Sequence, residues 1–126
     1  MNIVETKKFS PGKETFSRWS QERVMNMCRK IFEAANELVS ITGRPGNTLK
    51  VGHDLASVLF CAGSDQIFVP SGTVFGCIGI LNGHVNVWID EDLKPNEAEI
   101  SYENTGIKLI FDGLELTTEG ITFEKE

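Results

Sequence analysis

The sequence predicts an α+β fold: a long N-terminal helix and a second, short helix packed on a mostly antiparallel sheet. Three observations carry this expectation. Apolar residues recur at helical spacing over residues 13–41, they alternate with period two through most of the second half, and turn residues separate the alternating runs. Helices followed by a run of strands are the pattern of an α+β domain, with the helices on one face of the sheet. At 126 residues, 40% of them hydrophobic, the chain is long enough for one core. It is read as a single domain over residues 1–126, with residues 1–12 a flexible lead-in.

The first helix is expected to start at Ser10 and Pro11, a side-chain cap followed by a residue whose fixed φ suits the first turn. Phe16, Ser20, Val24, Met27, Ile31, Ala35 and Leu38 then share one face. The span is about 40 Å at 1.5 Å per residue, with a break expected near Trp19 and Ser20. TGRPGN ends it, because Gly43 suits a left-handed C-cap and Pro45 cannot continue a helix.

A short strand over residues 48–51 follows. Gly52, His53 and Asp54 open the second helix, DLASVLFCAG, with Asp54 near the positive end of its dipole and Gly63 as its stop. IFVPSGTVFG turns at residues 70–72. CIGILNG leads into a hairpin turn at Asn82 and Gly83. HVNVWID then places Val85, Val87 and Ile89 on one face and His84, Asn86 and Trp88 on the other. AEISYEN, TGIKLIFDG and LELTTEGITFE complete the strands, with turns at residues 104–106 and 112–113.

Composition narrows the function classes. No long uncharged apolar run spans a membrane, and the N-terminus lacks the apolar core of a secretory signal. The net charge of −6, with scattered Lys and Arg, opposes nucleic acid as a partner. Cys28, Cys61 and Cys77 lie among apolar neighbours without metal-ligand spacing, which reads as reduced core thiols.

The chain also lacks a recognisable catalytic apparatus. Asp90, Glu91, Asp92, Glu97 and Glu99 are acidic, but Lys94 and Pro95 stand where a calcium loop needs a ligand and a glycine. That segment reads as a solvated hairpin tip. His53 and Asp54 are sequence neighbours, and adjacent helical side chains do not face each other. GRPGN precedes a strand, the wrong order for a phosphate-binding loop. No cofactor, metal or catalytic residue is expected, and the chain is read as a non-enzyme.

The order of the parts resembles a known family. AANELVSITGRPGN, then TLKVG, then HDLASVL, then FGCIGILNGHVNVWIDEDLKPNEAEISYEN is similar to the axial domain, with adjoining peripheral strands, of tailed-bacteriophage major capsid proteins of the T-even-like myophage type. Thr42, Gly43, Arg44, Gly46 and Asn47 match that family's loop, with Pro45 inserted. Gly83, Val85, Val87, Trp88 and Asp90 match its first strand motif, Pro95 and Asn96 its turn, and Ile100, Tyr102 and Glu103 its next strand. The match covers about residues 31–120.

A complete subunit of that family is several times longer, with an extended N-terminal arm, a projecting hairpin loop and a spine helix. The resemblance therefore implies an excised or minimised capsid domain, in the virion or the host cytoplasm. Its partners would be other capsid subunits, or a host or phage factor that recognises capsid protein and for which this chain would act as a decoy or trigger outside the virion. Arg44, Trp88, Asp90, Glu91, Asp92 and Glu97 are the expected contact residues.

Overall fold

A computed structural model describes residues 1–9, 21–61, 68–70 and 77–112. Among these residues the chain forms β1 (Asn2–Phe9), α1 (Gln21–Thr42), β2 (Thr48–Val51), α2 (His53–Cys61), β3 (Phe68–Pro70), β4 (Cys77–Leu81), β5 (Val85–Ile89), β6 (Glu97–Tyr102) and β7 (Thr105–Phe111). The class is α+β, with two helices on one seven-stranded sheet ordered β1-β7-β6-β2-β5-β4-β3.

The sheet is mixed, with four of its six pairings antiparallel, so the expected antiparallel character holds for most of it. β1 runs parallel to β7, and β2 runs parallel to β5; the other neighbours are antiparallel. Residues 2–9, expected as part of a flexible lead-in, form an edge strand, and Asn2 N–H donates to the Asn104 carbonyl at 2.7 Å. Its sequence hides this, because NIVETKKF is polar at most positions and only Ile3, Lys7 and Phe9 are half-buried. Backbone pairing and the Phe9–Phe111 ring stack at 5.2 Å hold it instead.

The long N-terminal helix is described only as α1; the expected Ser10–Pro11 start and the break near Trp19 lie outside the described residues. α1 buries Met27, Cys28, Ile31, Ala34, Ala35 and Leu38, a stripe at helical spacing that packs on β6 and β7. Four of the expected face residues, Met27, Ile31, Ala35 and Leu38, are in that stripe. Gly43, at φ 85°, caps the helix and donates its N–H to the Val39 carbonyl at 2.8 Å, as the sequence predicts.

Both helices cover the same face of the sheet. Leu55, Ala56, Val58 and Leu59 of α2 share one continuous core with Leu49, Val51, Val85, Val87, Ala98, Ile100, Ile107 and Leu109. Registers such as Leu49 opposite Val87 and Ile100, and Ile100 opposite Ile107, align these strand residues across the sheet. Val85 and Val87 are buried, as alternation predicts, with Ile89 packed against the same core.

Turn chemistry accounts for one predicted hairpin and revises another. Asn82 and Gly83 have φ of 51° and 79°, and His84 N–H bonds the Leu81 carbonyl, so β4 and β5 join through a type I′ turn. The β6–β7 turn is at Glu103 and Asn104, not at residues 104–106, because Tyr102 pairs with Thr105 and Gly106 lies within β7. Residues 62–63, 71–72 and 113–126, assigned from sequence to the end of the second helix, to turns and to a last strand, lie outside the described residues.

Candidate contact surface

The expected hairpin of residues 79–104 is not one hairpin. β2 lies between β5 and β6, parallel to the first and antiparallel to the second. The acidic segment therefore spans the end of an intervening strand instead of closing a tight tip.

That segment is a packed structural element. Asp90 N–H donates to the Val51 carbonyl at 3.0 Å, and the Asp90 carboxylate accepts the Asp92 N–H at 2.9 Å. Leu93 is buried, and the Pro95 carbonyl accepts from the N–H groups of Asp54 and Leu55 at 3.1 and 3.2 Å. The first helical turn leaves N–H groups without intrahelical partners, so this carbonyl satisfies two donors at the start of α2. The reading of residues 90–99 as a solvated tip is corrected: only Glu91, Asp92, Lys94 and Pro95 among them are exposed.

Glu97 is likewise not an exposed contact residue. It is 7% exposed, and its carboxylate accepts the Lys94 N–H at 3.2 Å and pairs with Lys108 Nζ at 3.3 Å. Glu97 alternates with the core residues Ala98 and Ile100 and so lies on the sheet face away from the helices, where its buried carboxylate is tolerated because two donors meet it. Trp88 is half-buried on the sheet face opposite the helices, with Lys50 and Cys77 as its cross-strand neighbours. Cys77 is thus half-buried instead of a core residue, whereas Cys28 is 2% exposed and burial raises its thiol pKa to about 11. The side chain of Cys61 lies outside the described residues.

The predicted contact residues consequently divide among three places. Arg44 is exposed beyond the N-terminal end of β2, Asp90, Glu91 and Asp92 lie beyond its C-terminal end, and Trp88 belongs to a sheet face. The structure does not bring them into one patch.

It does bring the Arg44 loop together with two other loops at its end of the sheet. Strand directions place residues 43–47, the Asn82–Gly83 turn and the Glu103–Asn104 turn side by side there. Arg44, Pro45, Asn82, Gly83, His84, Glu103 and Asn104 are all exposed. Asn47 ties the strands beneath them, donating its N–H to the Ser101 carbonyl at 2.9 Å and accepting the Asn86 N–H at 3.0 Å. Thr42 Oγ1 donates to the Arg44 carbonyl at 2.8 Å, and a His84 ring nitrogen is 2.9 Å from the Asn82 carbonyl. The result is a firm polar tip carrying an Arg, a His and a Glu.

Of this tip, sequence reasoning singled out Arg44 and missed His84, Glu103 and Asn104. The signal was available in part, since His84 follows one turn and Glu103 and Asn104 form another, but it needed the strand order to place those turns together. Among the described residues, no group of three His, Cys, Asp or Glu is spaced to hold a metal ion. No described helix is long and apolar enough to cross a membrane. No family model matches this chain, and no curated protein matches it.

Proposed function

We propose that this chain is a viral structural protein, a capsid-derived domain making subunit contacts in or on a tailed-phage head. One observation supports the reading more than any other. The described segments that carry the capsid resemblance share one sheet and present three loops as one exposed polar tip. An exposed tip at one end of a sheet suits rotational assembly, in which the tip of one copy meets a different surface of its neighbour. Arg44, His84 and Glu103 supply charged and hydrogen-bonding contacts at that tip. A polar surface of this kind favours a specific contact that is also reversible.

In this reading the protein works as a shaped block. β2, clamped between β5 and β6, fixes the spacing of the loops, and α1 stiffens the sheet behind them. Mass spectrometry of purified virions from the encoding phage tests the assignment. Peptides of this chain at high copy in the particle are the expected result. Their complete absence, with the protein abundant in infected cells, overturns it and favours a free-standing partner of a capsid-recognising factor.

A further inference from the structure

The strand β1 ends the sheet and, among the described residues, has a neighbour on one side only. Its hydrogen-bonding phase is fixed by one bond: the Phe9 carbonyl accepts the Asp112 N–H at 2.8 Å and so points toward β7. In a parallel ladder alternate residues direct their backbone groups to the same side. Phe9, Lys7 and Glu5 therefore face β7, and the N–H and C=O of Thr6 and Lys8 face outward. The register shift between Ile3 and Glu5 closes this regular stretch at its N-terminal end.

Edge lysines usually discourage a strand from pairing with another chain. Here the order of charges permits one arrangement. For a two-fold axis normal to the sheet, opposed residues must point to the same face, so each register centres on a single residue. Centring on Glu5, Lys7 or Lys8 sets identical charges against each other. Centring on Thr6 sets Glu5 of each copy against Lys7 of the other, twice over, and opposes the outward backbone groups of Thr6 to their own copies. Thr pairs and opposite-charge pairs both stabilise antiparallel neighbours.

We propose that the outer edge of β1 pairs with the same edge of a second copy of this chain, antiparallel and centred on Thr6. The two sheets then join through the interface, with both α1 helices on the same side. Lys7 can serve the partner without losing its own ties, because its ammonium already lies between Glu5 at 3.3 Å and Glu37 at 2.9 Å. Lys8 is held by Asp112 at 3.3 Å and meets no like charge. The regular stretch is short, so the dimer is weak and forms in proportion to concentration. This inference does not rest on the capsid reading.

Sedimentation velocity over a concentration series tests it, with circular dichroism verifying that each variant is folded. The wild type is expected to shift from monomer to dimer. Glu5→Lys and Lys7→Glu should each weaken self-association about tenfold, since two favourable cross-strand pairs become repulsive. Mixed in equal amounts, the two variants should pair with each other, because every Lys then opposes a Glu. Thr6→Pro, which removes the central outward donor, should abolish dimerisation. A wild type that stays monomeric overturns the proposal, as does a mixture no better associated than either variant alone.

Discussion

Gly52 shows how tightly one residue can be fixed by its neighbours. A Cβ at this position would lie 2.0 Å from the Lys94 carbonyl oxygen, while the Gly52 N–H is already bonded to the Glu97 carbonyl at 2.9 Å. Neither backbone can yield freely, so Gly52→Ala should destabilise the fold by about 2–3 kcal/mol, measured by urea unfolding. Glu103 presents the opposite case. At φ 53° it occupies a region that side chains other than Asn and Asp disfavour, and no structural feature beyond the two-residue turn requires a Glu there. Glu103→Gly should raise stability by about 0.5–1 kcal/mol in the same assay, strain relief outweighing the added freedom of the unfolded chain. The Lys7–Glu37 pair yields a prediction in pH. The hydrogen bond to Lys7 lowers the Glu37 pKa below 4.5, and that to Glu37 raises the Lys7 pKa above 10.5. The contribution of Glu37 is therefore complete above pH 4.5 and is lost as pH falls through its depressed value. The urea midpoints of wild type and Glu37→Gln should differ at pH 7 and converge at pH 3.

At the scale of elements, the junction between the acidic segment and α2 is the most specific feature. First-turn amides of a helix ordinarily exchange with solvent, yet Asp54 and Leu55 donate to the Pro95 carbonyl. Hydrogen exchange followed by NMR should find both amides protected. Equal exchange with free first-turn amides would remove the docking role of residues 93–96. This element also marks where the sequence stopped being readable. The strand Thr48–Val51, the Asn82–Gly83 turn and the buried faces of α1 and β5 follow from local periodicity and turn chemistry, and the structure has them. The insertion of β2 between β5 and β6 does not, because strand pairing depends on partners far along the chain and leaves no local signature. Residues 79–104 look like a hairpin for that reason. The burial of Glu97 was not legible either: the β6–β7 hairpin is foreseen, but its exact register, which brings Lys108 within reach of Glu97, is not. β1 was missed because an edge strand needs little apolar character.

For the molecule as a whole, these placements redistribute the candidate surface. Acidic residues 90–92 and the polar tip with Arg44 lie at opposite ends of the sheet, so one contact cannot use both. In a rotational assembly this gives the domain two chemically different ends, one richer in carboxylates and the other mixed in charge. Substituting Arg44 and His84 together by Ala should leave thermal unfolding within about 0.5 kcal/mol of wild type, as for other exposed positions, and should change only association.

The position of β2 also bears on how the chain comes into being. A strand complete by residue 51 must wait for residues 85–102 before either of its neighbours exists, and β1 waits for residues 105–111. On a ribosome that emits the chain from its N-terminus, the apolar stripe of α1 is therefore made well before the sheet that covers it. Until then Ile31 and Leu38 lack the sheet that buries them, and uncovered apolar surface of this kind is what makes incomplete chains prone to aggregate. Refolding of the finished chain should fall in the slower range of small domains, because its central closure joins distant segments.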